Sequence, residues 1–179
     1  MKKIAIIGAG ISGLFFASLL KNNSNYEFTI FEKRKIIDIE ESYGIQLSAN
    51  SIKLLNEIGF NNINANEIYN PKKIDFINAK NNKPIRDLDI TKFNYDDNKY
   101  TTLKRSTLLK FLKNNISNDN IKLDVELKNL NYENKLTLSF SDNSIKEFDY
   151  LIVSDGVFSK TKSIILKKIL DLNISNQSL

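Results

Sequence analysis

The stretch Lys3-Ile-Ala-Ile-Ile-Gly-Ala-Gly-Ile-Ser-Gly-Leu14 decides the fold of this 179-residue chain. Residues 3–7 form an apolar run typical of a strand buried on both faces, and residues 11–21 follow as a helix. Residues 27–32 have the pattern of a second strand, which ends at Glu32. Strand, glycine turn, helix and strand within about 30 residues indicate a βαβ unit that binds a dinucleotide.

The glycines of the turn have separate expected roles. Gly8 permits the tight turn, Gly10 lets the backbone approach a pyrophosphate, and Gly13 permits close packing of the helix on the strand. The phosphates are expected at the start of the helix, where free N–H groups and the helix dipole favour anions. The predicted phosphate-binding residues are those of the turn: Gly8, Ala9, Gly10, Ile11, Ser12 and Gly13.

An acidic residue follows the turn at the expected distance. Glu32 lies nineteen residues beyond Gly13 and is expected to accept hydrogen bonds from the ribose hydroxyls of the adenosine half. Its charge repels a 2′-phosphate, so NADP is disfavoured at this site. Lys33 and Arg34 leave an alternative open, because a basic side chain here accommodates such a phosphate; otherwise both are solvated charges after a strand.

The composition excludes several kinds of chemistry. The chain has no cysteine, which rules out disulfides, thiolate metal sites and a cysteine nucleophile. It has no histidine either, so no histidine-based triad or imidazole zinc site is possible. Chemistry at neutral pH is therefore expected to come from a bound cofactor, and no metal site is predicted.

Charge and hydropathy bear on partners and location. The formal net charge is +5, but the lysines are interleaved with acidic residues and form no basic stripe, so nucleic acid is not an expected partner. The N-terminus resembles a secretory signal, yet its glycines interrupt the apolar run. No segment reaches the ~20 apolar residues of a membrane helix, and a cytoplasmic location is expected.

The rest of the chain alternates helical and strand patterns. Further helices are predicted over residues 48–58, with Ser48 as N-cap and Gly59 as the stop, and over 105–112 and 159–170. Further strands are predicted over residues 73–78, 84–88, 121–126, 136–140, 144–148 and 150–153. We expect 150–153 to join 3–7 and 27–32 in a central parallel sheet, and the three strands 121–126, 136–140 and 144–148 to form a β-meander.

Four blocks of sequence occur in an order that resembles a known family. They are the N-terminal turn, Gly44-Ile-Gln-Leu-Ser-Ala-Asn-Ser-Ile-Lys-Leu-Leu-Asn-Glu-Ile-Gly59, Lys104-Arg-Ser-Thr-Leu-Leu109, and Asp149-Tyr-Leu-Ile-Val-Ser-Asp-Gly-Val-Phe-Ser-Lys-Thr-Lys162. Together they resemble the FAD-dependent aromatic-ring monooxygenases, the single-component flavoproteins that include salicylate, 4-hydroxybenzoate and ubiquinone-pathway hydroxylases. The resemblance covers the N-terminal portion of those enzymes.

The resemblance implies a fold and an activity. It implies an α/β fold of the glutathione-reductase-like, three-layer kind: an incomplete FAD/NAD(P)-binding domain over residues 1–179, with residues 68–103 as part of a substrate domain. It implies FAD as cofactor and NAD(P)H as co-substrate. In such enzymes reduced FAD captures O2 as a flavin hydroperoxide, which hydroxylates a small aromatic substrate.

The resemblance also implies roles for residues outside the glycine turn. Arg105 matches an arginine that contacts the FAD phosphate and ribityl region, and Asp155 and Gly156 match a motif associated with FAD and reduced nicotinamide. Gln46, expected in the loop that leads to the helix predicted over residues 48–58, matches a position near the flavin. From the residues alone, Arg105 could be a surface arginine and Asp155-Gly156 an ordinary turn. Ser154 stands where the family frequently has alanine.

The family members are about twice as long, and their second FAD-binding segment has no counterpart here. The resemblance therefore implies a C-terminally truncated, FAD-binding N-terminal portion that is inactive alone, and a complementary C-terminal polypeptide is a possible partner. The missing elements are expected to leave apolar surface exposed and the chain poorly soluble. Two alternatives stay open: a non-enzymatic nucleotide-binding module or decayed remnant, and an NAD-dependent oxidoreductase.

Overall fold

The computed structural model of the protein describes residues 1–37, 39, 43–132 and 135–176, and residues 169–176 by their backbone alone. The strands are β1 (Lys2–Ile7), β2 (Tyr26–Glu32), β3 (Gly44–Leu47), β4 (Ile68–Tyr69), β5 (Lys73–Ile77), β6 (Pro84–Asp89), β7 (Thr101–Lys104), β8 (Ile121–Leu123), β9 (Leu127–Tyr132), β10 (Leu136–Phe140), β11 (Ile145–Phe148) and β12 (Tyr150–Val153). The helices are α1 (Ile11–Leu20), α2 (Ala49–Asn56), α3 (Arg105–Asn114) and α4 (Lys160–Asn176).

The chain forms two compact units. The first comprises Met1–Asp38 and Leu112–Leu179, and the second comprises Ile39–Phe111. Residues 68–103 lie within the second unit, and their assignment to a partial substrate domain stays a prediction.

The first unit is built on a parallel sheet with the strand order β12-β1-β2-β8. Its central strand β1 pairs with both β2 and β12, so that Ile4 is opposite Phe28 on one side and Tyr150 on the other. The predicted parallel arrangement of residues 3–7, 27–32 and 150–153 is confirmed. The apolar character of β1 follows from its place in the sheet, because a central parallel strand is buried on both faces.

A three-stranded β-meander of β9, β10 and β11 covers one face of this sheet. Ala5 and Ile7 of β1 pack into its core, and the ring of Phe31 stacks on that of Phe140 with 4.1 Å between centroids. The buried cluster between sheet and meander comprises Ala5, Ile7, Phe31, Leu127, Leu130, Leu136, Leu138 and Phe140. The meander therefore supplies one layer of the predicted three-layer architecture.

Helix α1 covers the opposite face of the sheet. Because side chains alternate along a strand, Ile4 and Ile6 face away from the meander, and both are buried. Helix α1 contacts β1 and β2 and contributes the fully buried Leu14 and Ala17. The glycine turn thus connects the central strand directly to the helix that packs on it.

The prediction for residues 121–126 is wrong in its sheet and its length. Strand β8 pairs in parallel with β2 in the main sheet and does not belong to the meander. It ends at Leu123, because Asp124 adopts a left-handed backbone with φ +57°. The next two N–H groups, of Asp124 and Val125, donate to the Arg34 and Glu32 carbonyls at 3.0 Å each, so the chain turns away from the sheet there.

The first strand of the meander is β9, which the sequence pattern does not predict. Its buried residues Leu127 and Leu130 are three apart, whereas a regular strand buries every second residue. The cause is a shift in register between Ser139 and Phe140, so that Phe140 pairs with Leu127 while Leu138 pairs with Leu130. Both leucines therefore face the core despite their irregular spacing.

The second unit contains an antiparallel sheet of order β3-β7-β4 and the hairpin β5-β6. The hairpin confirms the strands predicted over 73–78 and 84–88. Helix α2 ends at Asn56, two residues before the predicted end at residue 58, and Gly59 follows with the left-handed φ of +90° that stops the chain from continuing as a helix. Ser48 occupies the N-cap position of α2, as predicted, although its side chain makes no capping hydrogen bond; its hydroxyl oxygen lies 3.2 Å from that of Ser51.

Within the part of the chain that the structure describes, no helix is long and apolar enough to cross a membrane. The cytoplasmic location stays a prediction.

Candidate dinucleotide-binding site

The glycine turn joins the end of β1 to the start of α1. Gly8 has φ +105°, a conformation that side chains disfavour, and its N–H donates to the Phe31 carbonyl at 2.8 Å. A Cβ atom on Gly8 would lie 2.5 Å from the carbonyl oxygen of Ser154, at the end of β12. Position 8 therefore requires glycine for two reasons, its backbone conformation and the close approach of the neighbouring strand.

The other two glycines differ in what surrounds them. A Cβ atom on Gly13 would lie 2.0 Å from the carbonyl oxygen of Gly8, so the helix can approach the turn this closely only with glycine there. A Cβ atom on Gly10 would meet nothing within 4 Å. Gly10 therefore borders open space, which fits the approach of a phosphate group to its backbone.

The N-terminus of α1 is open to an anion. Gly10 occupies the N-cap position, no side chain caps the helix, and its first turn holds no acidic residue. The carbonyl of Gly10 accepts the first helical hydrogen bond, from the N–H of Leu14 at 3.0 Å. Ile11 is half-buried and Ser12 is exposed, so their predicted part in phosphate binding rests on backbone N–H groups.

Glu32 is held beside this turn by backbone hydrogen bonds. Its Oε2 accepts from the N–H of Ala9 at 2.8 Å, and its Oε1 accepts from the N–H of Arg34 at 2.9 Å. A carboxylate oxygen can accept two hydrogen bonds, so each oxygen keeps the capacity to accept one from a ribose hydroxyl. Lys33, next in the chain, is exposed.

Asp155 links the end of β12 to the start of α4. Its Oδ2 accepts from the N–H of Thr161 at 3.2 Å, and Gly156 follows with φ +88°. Burial raises the pKa of Asp155, but hydrogen bonds from Ser159 and Thr161 outweigh it, so the pKa is lowered and the side chain stays a carboxylate. Its Oδ1 is buried and has no hydrogen-bond partner among the described residues.

Ser154, which stands where the resembling family frequently has alanine, lies directly beside the glycine turn. Its Oγ donates to the Ile7 carbonyl at 2.9 Å and lies 3.3 Å from the Gly8 carbonyl oxygen. Its own N–H also donates to the Ile7 carbonyl at 2.9 Å. A hydroxyl in place of alanine directly before the Asp-Gly pair is the only signal in the sequence that could have identified it.

Two predicted site residues belong to the second unit. Gln46 lies on β3, not in a loop as expected, and its Oε1 accepts from the Tyr100 hydroxyl at 2.8 Å. Arg105 is the first residue of α3, as predicted; its N–H donates to the Tyr43 carbonyl at 2.8 Å, and its guanidinium carbon lies 5.8 Å from the centre of the Tyr43 ring. Their contact with a cofactor stays a prediction.

The structure brings the other predicted residues together. The glycine turn follows β1, Glu32 is the last residue of β2, and Asp155-Gly156 lies just beyond β12. The carboxyl ends of these strands meet at one edge of the sheet because the strands are parallel. Ligands of open parallel sheets bind at this edge. Among the residues described, no group of three potential ligands could hold a metal ion.

Comparison with known proteins adds the following. The model of the NAD(P)-binding Rossmann-like domain matches residues 6–37. Monooxygenase asqM of Emericella nidulans is 26% identical over an alignment of 181 positions, which covers 91% of this chain and 40% of that protein.

Solved structures share the fold. 2,6-Dihydroxypyridine-3-hydroxylase from Arthrobacter nicotinovorans has a TM-score of 0.74 at 17% identity, over 95% of this chain and 40% of that one. Klebsiella pneumoniae HpxO, solved with FAD and uric acid, has a TM-score of 0.72 at 20% identity, over 87% of this chain and 39% of that one.

This chain therefore spans about 40% of the length of the proteins that it matches. Within that span, the predicted resemblance to the FAD-dependent aromatic-ring monooxygenases is confirmed, since a monooxygenase matches in sequence and hydroxylases match in fold.

Proposed function

We propose that this chain binds FAD through its first unit, as the FAD-binding portion of a flavoprotein monooxygenase. The proposal rests on the open space beside Gly10, which adjoins the uncapped N-terminus of α1. A pyrophosphate there would accept hydrogen bonds from the N–H groups of the first helical turn. The adenosine ribose would donate to Glu32, whose carboxylate the Ala9 N–H holds beside the turn.

Two further observations favour FAD over a nicotinamide dinucleotide at this position. The sequence match is to a monooxygenase, and the structural match HpxO was solved with FAD. The match of residues 6–37 to an NAD(P)-binding model is compatible with either nucleotide, since both have an adenosine diphosphate half. Asp155 and Gly156 of the first unit are proposed to contact the remainder of the FAD, as the family resemblance implies. The roles that the resemblance implies for Gln46 and Arg105 stay predictions.

Bound FAD would supply the redox chemistry that uses NAD(P)H and O2 to hydroxylate a small aromatic substrate. The residues of this chain would bind and orient the cofactor, and none is assigned a catalytic role. The chain spans about 40% of the length of the monooxygenase that it matches. Hydroxylation is therefore proposed for a protein that also contains the remaining part of such an enzyme. We do not expect the 179-residue chain alone to hydroxylate an aromatic compound with NADH.

The test is the identity of the nucleotide that the purified protein binds. We expect a flavin absorption spectrum after addition of FAD and gel filtration, and release of FAD on denaturation. The variant Glu32→Ala should bind FAD at least about tenfold more weakly, because the ribose hydroxyls lose a charged acceptor. Binding of NAD without flavin would support the NAD-dependent oxidoreductase instead, and binding of neither would support a non-enzymatic remnant.

A further inference from the structure

The peptide group between Gly8 and Ala9 is held from both sides by side chains of neighbouring strands. On one side, the N–H of Ala9 donates to Glu32 Oε2 at 2.8 Å. On the other, the carbonyl oxygen of Gly8 lies 3.3 Å from the hydroxyl of Ser154, within hydrogen-bond reach. One planar unit at the centre of the turn therefore connects Ser154 to Glu32.

The Ser154 hydroxyl lies where the turn leaves the sheet. It donates to the Ile7 carbonyl at 2.9 Å and shares its proton with the Gly8 carbonyl. It also borders the first turn of α1, since a Cβ atom on Gly13 would lie 2.7 Å from this oxygen. The hydroxyl is thus packed between β1, β12 and α1, and its place is determined by the fold.

Loss of this hydroxyl would release one side of the peptide group. The Gly8 carbonyl would lose its side-chain donor, and rotation of the peptide plane would move the N–H of Ala9 away from Glu32. Glu32 would keep only the hydrogen bond from the N–H of Arg34. A carboxylate held by one donor has more freedom to turn, so its acceptors would be less well oriented toward a ribose.

We propose that Ser154 is a positioning residue for the adenosine ribose, which acts on Glu32 through the Gly8–Ala9 peptide group without touching the nucleotide. This inference rests on the proposed nucleotide site and adds a determinant of its selectivity. It predicts that Ser154 controls how strongly the site distinguishes a ribose from a deoxyribose.

The experiment compares ADP with 2′-deoxy-ADP by calorimetric titration of the full chain. Wild type should bind 2′-deoxy-ADP about tenfold more weakly, because a hydrogen bond to a charged acceptor is lost. In Ser154→Ala we expect the two dissociation constants to lie within about twofold of each other. A general loss of stability would weaken both ligands equally and leave their ratio unchanged, so the ratio separates positioning from folding.

A matched control is Ser141→Ala, which removes a hydroxyl that accepts from the backbone N–H of Glu126 at 2.9 Å in the meander. This variant should keep the wild-type ratio. Ser154→Thr retains the hydroxyl and should keep the ratio as well, whereas Ser154→Cys replaces it with a weak donor and should reduce the ratio even if the alanine variant does not fold.

Two results would overturn the inference. If Ser154→Ala keeps the wild-type ratio of the dissociation constants for 2′-deoxy-ADP and ADP, the hydroxyl does not act on ribose recognition. Where the alanine variant does not fold, a wild-type ratio in Ser154→Cys leads to the same conclusion. Failure of the wild-type chain to bind ADP or FAD at all would refute the proposed function, and this inference with it.

Discussion

The carbonyl oxygen of Gly8 lies 2.0 Å from the point that a Cβ atom would occupy on Gly13. The oxygen is a backbone atom and the position of a Cβ atom is fixed by the backbone, so no side-chain rotation can relieve the contact. We expect Gly13→Ala to lower the free energy of unfolding by roughly 1–3 kcal/mol or more, because α1 must move away from the turn. Thermal melts of the variant and of Gly44→Ala, whose Cβ atom meets nothing within 4 Å, provide the measurement and its control. Equal melting temperatures for the two variants would contradict this explanation.

Gly10→Ala should weaken FAD binding and leave the stability of the fold unchanged. A Cβ atom fits there without contact, and the backbone has φ −81°, which alanine adopts readily, so the melting temperature should stay close to that of wild type. The methyl group would occupy the space proposed for the pyrophosphate, and FAD affinity should fall by about tenfold or more. Fluorescence titration with FAD measures this. An unchanged affinity would place the phosphates elsewhere.

The carboxyl group of Glu126 is expected to make the stability of the fold depend on pH. Hydrogen bonds from Lys128 and Lys160, the latter 2.8 Å away, lower the pKa of its carboxyl from 4.5 to about 2. Because the folded pKa lies below the unfolded one, the ionised carboxylate stabilises the fold above pH 4.5, and this contribution is lost as the pH falls toward 2. Glu126→Gln should therefore destabilise the protein near pH 7, by about 1 kcal/mol for a pair exposed to solvent, and progressively less in acid.

Urea unfolding of wild type and Glu126→Gln at a series of pH values checks this. The matched control is Glu147→Gln, which removes an ion pair to Lys135 at 2.9 Å with both side chains more than half exposed. Its effect should be smaller. A destabilisation by Glu126→Gln that stays constant between neutral and acid pH would rule out an electrostatic origin.

Two apolar side chains next to the Asp-Gly turn are open to solvent. Val157 is 93% exposed and Phe158 is 91% exposed. Adjacent exposed apolar residues promote association, so the double variant Val157→Ser, Phe158→Ser should scatter less light than wild type at the same concentration. Its melting temperature should be unchanged, because neither side chain is packed. Equal scattering by the two proteins would indicate that solubility is set elsewhere on the surface.

Much of the fold around the candidate dinucleotide site could be predicted from local sequence. The glycine spacing and Glu32 predict a βαβ unit, and the structure has β1, α1 and β2 with nearly the predicted bounds. The prediction of this unit succeeds because a tight turn, a close approach of helix to strand and a buried strand each require particular residue types within a few positions. The place of Arg105 at the start of a helix was also predictable.

Other features depend on contacts between residues far apart in the chain. Residues 121–126 have a strand pattern, but Asp124 ends the strand where its N–H reaches the Arg34 carbonyl, and β8 joins the main sheet instead of the meander. Strand β9 was not predictable because its buried residues are irregularly spaced along the sequence. The spacing results from the register shift in its pairing with β10. Periodicity within one segment contains no information about its partner strand.

The sequence by itself determined that a strand, a tight glycine turn and a helix follow one another, with Gly8, Gly10 and Gly13 in the turn, since these are properties of the backbone over one short stretch. Only the tertiary structure decided what surrounds that turn. It brings Ser154, 146 residues away along the chain, to the Gly8 carbonyl, and sets Glu32 against the N–H of Ala9. These hydrogen bonds form because parallel pairing of β12, β1 and β2 aligns their carboxyl ends, an alignment that the complete sheet creates.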